Sequence, residues 1–274
     1  MSTLGILAAQ PALWWLGYLA IGGLVGMFAG MLGVGGGLLI IPSLTFAFEA
    51  QGFPREHVLH VAIGTAMASI MFTSLASTRA HALRQSVRWD IARMMTPGIL
   101  IGGLAGATLA RFIPTRMLAL YFAIFVLYLA LTMVLGRRPT RPREPPESAG
   151  IFAASFAISG LCSLLAMGGA VMTVPFMLRW RIPMIHAIGT AAAVGFPIAL
   201  GGTVGYIMNG WGLALPRWSI GFVYVPALVA LTVASVLAAP LGAHIAHRVP
   251  DKVLQRIFSG LLLVLAGHML LSLW

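Results

Sequence analysis

Carboxylates are scarce in this chain. Its 274 residues hold six, Glu49, Glu56, Asp90, Glu144, Glu147 and Asp251, each in or beside a gap between apolar runs. Carriers of cations place a carboxylate within the membrane span to hold the ion or relay protons, so its lack there argues against a cation as cargo. The single cysteine, Cys162, excludes an internal disulfide and any multi-cysteine metal site, and it reads as a small packing residue. There is no His-Glu-x-x-His, no pair of carboxylates within an apolar run and no nucleotide-binding motif. No catalytic residue, metal site or cofactor is therefore expected, the chain does not read as an enzyme, and ATP drive would need another subunit. The residues before Pro11 include no basic region, so no cleavable signal peptide is expected.

What is plentiful is apolar. Hydrophobic residues make up 59% of the chain against 8% charged, with mean hydropathy +0.96. That composition excludes a soluble globule and implies an all-α polytopic membrane protein. The net charge of +11 lies almost wholly in the gaps between apolar runs, so it reads as a topology signal and not as a nucleic-acid surface. Apolar runs fall at 12–32, 38–48, 61–78, 94–110, 117–136, 150–167, 170–178, 187–208, 219–243 and 253–273. The runs at 38–48 and 170–178 are too short to cross, since a crossing takes about 20 residues. Trp14, Trp15, Trp211, Trp218 and Trp274 suit the aromatic belts at the two interfaces.

The stretch from Gly26 to Pro42 carries six glycines between Gly26 and Gly37, and these are expected to break a helix in mid-membrane. Backbone groups released from a helix survive in lipid only where they line a cavity or are buried in protein. Pro42 fits the first turn of a new helix, which would start between Gly37 and Pro42 and aim its N–H groups and positive dipole end at the break. Such an end holds an anion without a formal charge. Close helix packing is the other use of small residues at this spacing.

The chain repeats. Gly35-Gly36 with Pro42 returns as Gly168-Gly169 with Pro175, and Ala62-Ile63-Gly64-Thr65-Ala66 returns as Ala187-Ile188-Gly189-Thr190-Ala191. Gly106-Ala107 with Pro114 returns as Gly242-Ala243 with Pro250. The recurrence divides the chain into a first repeat, 12–136, a polar cytoplasmic linker, 137–149, and a second repeat, 150–274. If each break were a single crossing, the basic residues would split nine against eight between the two sides. If each break is the tip of a hairpin, they split thirteen against four. The second arrangement obeys the rule that Arg and Lys stay cytoplasmic. It makes the repeats inverted, each a Gly-broken helical hairpin plus three membrane-spanning helices, with both termini on the periplasmic side.

The glycine pattern from Gly26 to Pro42, the Ile-Gly-Thr element at 63–65 and their return at 168–175 and 188–190 resemble the sulfite exporter TauE/SafE family, over about 12–273. Ala166 and Ala170 stand where the first half has Gly33 and Gly37. The resemblance implies a bacterial inner-membrane permease for small sulfur-containing anions such as sulfite, sulfoacetate or thiosulfate. The candidate substrate-binding groups are the backbone at Gly35, Gly36, Gly37, Gly168 and Gly169 and the hydroxyls of Thr65 and Thr190, which can donate to an oxyanion. An intramembrane Thr also commonly bonds to its own helix. Gly33, Pro42 and Pro175 mark the helix breaks. His60 and His186, at the mouths of equivalent spans, are the candidates for coupling to a proton gradient. The expected partners are a small anionic substrate and membrane lipid, with no nucleic acid. A carboxylate transporter, a membrane scaffold and an intramembrane enzyme are the alternatives.

Overall fold

The computed structural model describes residues 11–32, 36–135, 148–164, 166, 169–178, 180, 182–246, 260, 263 and 267. In lipid the backbone must pair with itself, and these apolar runs do so as helices. They are α1 (Pro11–Leu32), α2 (Gly37–Ala50), α3 (Val58–Leu83), α4 (Trp89–Ala110), α5 (Thr115–Leu135), α6 (Ser148–Leu164), α7 (Ala170–Leu178), α8 (Met184–Gly210) and α9 (Val225–Ala246). Between α8 and α9 lies a two-stranded antiparallel ribbon, β1 (Ser219–Ile220) with β2 (Val223–Tyr224). Val58–Leu83 and Ile185–Gly210 are long and apolar enough to cross a membrane and are mostly enclosed by the rest of the chain. The interior is apolar, with Ile41, Leu44, Phe48 and Ile63 fully buried, but it also takes in hydroxyls, and the outer face is apolar as well. Ser69, Thr73 and Ser74 of α3 and Ser155, Ser159 and Ser163 of α6 are buried, while Leu16, Leu24, Ile101, Met117, Ile124 and Leu237 face outward. The protein is an all-α polytopic membrane protein.

Helix directions follow from which residues meet. Met67 of α3 lies against Gly202 of α8, and Ser74 against Gly195, so the two central helices run antiparallel. Gly98, Gly102 and Gly106 of α4 sit against the carbonyls of Phe152, Phe156 and Gly160 of α6, a constant offset that makes this pair parallel. Gly22 and Gly26 of α1 sit in the same way against Leu231 and Ser235 of α9. These stripes bring backbones together where any Cβ would hold them apart. The packing is matched element for element: α1 on α9 and α6 on α4, α2 on α3 and α7 on α8, α3 on α9 and α8 on α4.

Three expectations change. Gly26 and Gly30 belong to α1, which continues to Leu32, so Gly26 is a packing residue and the break is confined to the residues between Leu32 and Gly37. Pro42 is not in the first turn of the new helix. It is the sixth residue of α2, as Pro175 is of α7, where the missing N–H leaves the carbonyl four residues earlier without its helical partner. The apolar run at 219–243 begins as ribbon and becomes helical only at Val225. The linker from 137 to 147 and most of the run at 253–273 lie outside the described residues.

Candidate functional site

The first break is the tip of a hairpin. The Gln51 side-chain amide, just past the end of α2, donates to the Tyr18 hydroxyl of α1 at 2.5 Å, and the Tyr18 ring lies 6.3 Å from that of Phe48. The end of α2 has thus returned to the end at which α1 began. α2 spans 14 residues, about 21 Å at 1.5 Å each, too short to cross. Gly36 turns the chain at φ 70°, a left-handed conformation that glycine adopts without strain, and its carbonyl accepts the N–H groups of Leu39 and Ile40 at 3.0 and 3.1 Å. The first N–H groups of α2, those of Gly37 and Leu38, have no acceptor within the helix.

The second break also turns left-handed, but three positions earlier in the repeat register, at Ala166 and not at Gly169. α6 ends at Leu164, Ala166 takes a positive φ of 40°, and the Gly169 carbonyl accepts the Thr173 N–H at 2.9 Å to open α7. Ala166, which stands where the first repeat has Gly33, holds a left-handed backbone that a residue with a Cβ adopts only with strain.

The two breaks meet. The Ala166 carbonyl fills the space a side chain at Gly37 would need, and Ile70 Cδ1 lies 2.8 Å from the same point. Ile70 is at the middle of the 26-residue α3, so the junction is at mid-depth. One turn before Ala166, the Ser163 hydroxyl is fully enclosed and has no hydrogen-bond partner among the described residues. Its own carbonyl accepts the Tyr206 hydroxyl at 3.3 Å. Reading the sequence did not single out Ser163; the only signal was its place in the stripe Ser155, Ser159, Ser163, four residues apart.

Of the residues expected at the site, the structure brings Gly36, Gly37 and Gly169 to the breaks, while Gly33, Gly35 and Gly168 lie outside the described residues. Thr65 and Thr190 are deeply buried and accept backbone N–H groups of other elements, from Tyr224 and Arg88, each at 3.0 Å. Thr190 also donates to the His186 carbonyl at 2.6 Å. His60 is buried, with Nε2 3.0 Å from the Ala110 carbonyl and Nδ1 3.4 Å from the Thr115 hydroxyl, so it ties the start of α3 to the corner between α4 and α5. His186 is half-buried, with Nδ1 enclosed and without a partner among the described residues. At the open end of the first hairpin a separate cavity of about 230 Å³ is lined by Trp14, Trp15, Tyr18, Gln51, Phe53, Tyr224 and Pro226.

Discontinuous helices that meet partway through an all-helical membrane protein are a recurring feature of membrane transporters, and the relatives of this chain place it in that class. The chain matches the family model described as Sulfite exporter TauE/SafE over residues 18–269, and it belongs to that family. It is similar to a probable membrane transporter protein of Haemophilus influenzae, 30% identical over 93% of this chain and 97% of that one. A probable membrane transporter protein of Methanocaldococcus jannaschii is 26% identical over 92% of this chain and 93% of its own. The probable membrane transporter protein YunE of Bacillus subtilis is 26% identical over 92% and 95%. No solved structure matches.

Proposed function

We propose that the protein is a secondary transporter of a small sulfur-containing anion, sulfite or an organosulfonate, bound at mid-depth where the two breaks meet. The observation that carries this reading is the contact between Gly37 and Ala166. It puts the first N–H groups and positive dipole end of α2 beside the second break, in a place where a carboxylate would repel the ligand and none is found among the described residues. The enclosed Ser163 hydroxyl offers a further donor, and a buried hydroxyl left unpaired costs about 1–3 kcal/mol that an oxyanion would relieve. The family description names sulfite export.

The antiparallel run of α3 and α8 and the swapped pairs α1 with α9 and α6 with α4 support two inverted repeats, 12–136 and 150–274, joined by the linker. Access alternates as one repeat rocks against the other. The membrane is the bacterial inner membrane, with both termini on the periplasmic side, as the distribution of arginines favours.

The test is uptake of radiolabelled sulfite into proteoliposomes, with thiosulfate, sulfoacetate, taurine and acetate as unlabelled competitors, with and without a pH gradient. Saturable uptake competed by sulfur anions and not by acetate is the expected result. Competition by acetate alone would assign a carboxylate carrier, and no uptake of any anion by folded protein would remove the transport reading.

A further inference from the structure

The Ile-Gly-Thr element recurs at 63–65 and 188–190, and in both places it does the same thing to a segment more than a hundred residues away. On α3, the Phe222 carbonyl lies where Gly64 would carry a Cβ, and the Tyr224 N–H donates to Thr65 Oγ1 at 3.0 Å. On α8, the Ser86 carbonyl lies 2.5 Å from where Gly189 would carry a Cβ, and the Arg88 N–H donates to Thr190 Oγ1 at 3.0 Å. Each glycine admits the carbonyl of one residue, and each threonine takes the N–H two residues on. The residue between, Val223 in one case and Val87 in the other, is buried at 3% and 8% exposure. Phe222–Tyr224 leads into α9 and Ser86–Arg88 into α4, so each motif grips the entry to the fourth helix of the other half.

The two grips lie at opposite ends of the central pair. Met67 opposite Gly202 and Ser74 opposite Gly195 fix the antiparallel register, in which Gly189 falls level with position 80 of α3. From Gly64 to that level is 16 residues by this register, about 24 Å along the axis, or roughly four-fifths of the depth of the hydrocarbon. Halfway between them stand Ile70 and the junction of the two breaks.

We propose that Gly64-Thr65 and Gly189-Thr190 are a pair of inter-repeat latches, one near each face of the membrane, whose alternate release opens the mid-depth site to one side at a time. The inference rests on the transport reading and adds to it that these threonines are positioning residues, holding loops and not cargo. Both latches are made in this structure. They differ in what surrounds them. Tyr224 is packed by the rings of Phe53, Phe48 and Tyr18 at 5.2, 5.6 and 6.5 Å, whereas the Arg88 side chain is half-exposed and pairs with Asp90 at 2.6 Å. Release at the Arg88 end therefore breaks none of these ring contacts.

The test uses the two equivalent valines as reporters. In a full-length Cys162→Ala background, Val87→Cys and Val223→Cys are made singly, and their rates of modification by a charged maleimide are measured in nanodiscs without any substrate. Thr190→Val keeps the shape of the side chain and removes the acceptor. It is expected to raise labelling at position 87 about fivefold, the factor that loss of one ordinary hydrogen bond produces, and to lower labelling at position 223. Thr65→Val is expected to do the reverse, and Thr→Ser at either position to restore the parental rates. Unchanged labelling at both reporters, or a rise at both together, would overturn the inference, since simple loosening has no reason to protect the far end. Because no substrate is present, this outcome is independent of which anion is carried, and failure of sulfite uptake leaves it standing.

Discussion

Alanine in place of Gly37 puts one methyl group where the two breaks touch. By helix propensity alone the change favours the helix by up to about 1 kcal/mol. Gly23 of α1, where an added Cβ meets nothing within 4 Å, shows that effect in isolation, and Gly23→Ala is expected to melt at or above the parent. At Gly37 the methyl would land on the Ala166 carbonyl. The Ile70 side chain, 2.8 Å away, can turn aside, but a backbone carbonyl in a strained turn cannot. Forcing a methyl into such a site costs about 1–3 kcal/mol. For a chain of this size each kcal/mol is worth roughly 2–4 °C of melting temperature. The expected outcome is a thermal melt in detergent a few degrees below the parent and well below Gly23→Ala, with a larger proportional loss of sulfite uptake, because the displaced groups are those proposed to face the ligand. A Gly37→Ala protein that melts like Gly23→Ala and transports like the parent would refute the claim that the breaks meet there.

Gly102→Leu should be poorly tolerated, because the Phe156 carbonyl of α6 occupies the place of its side chain; a melt lowered by more than that of Gly98→Ala in the same stripe checks it. His60→Ala removes the tie between α3 and the α4–α5 corner and should lower stability by about 1–3 kcal/mol without altering the shape of the pH profile of uptake. A flattened profile with an unchanged melt would instead make His60 a proton carrier.

Much of the architecture was legible in the chain because lipid imposes simple demands. A backbone that must pair with itself makes each apolar run a helix, so nine helices among the described residues fall on runs visible in the sequence. The short runs at 38–48 and 170–178 emerged as the short helices α2 and α7 for the same reason. Residues whose meaning depends on a distant partner were harder to read. Gly26 looked like part of the break because its spacing is that of both a break and a packing stripe, and only the Ser235 carbonyl lying against it distinguishes the two. Ser163 carried no signal beyond its place in the serine stripe, since a buried hydroxyl becomes notable only when no partner for it is found among the described residues.

What the chain determined by itself is local: where helices form and stop, which residue types are kept out of the membrane, and that the Gly-Gly-Pro and Ile-Gly-Thr elements occur twice. What the tertiary structure decided is who faces whom. Thr65 and Thr190 were read as donors to a ligand, and the fold shows their oxygens accepting the N–H groups of Tyr224 and Arg88, more than a hundred residues away in sequence. Periodicity assigns a residue to a face of its helix, but the neighbour that face meets is chosen by the close packing of all the helices at once.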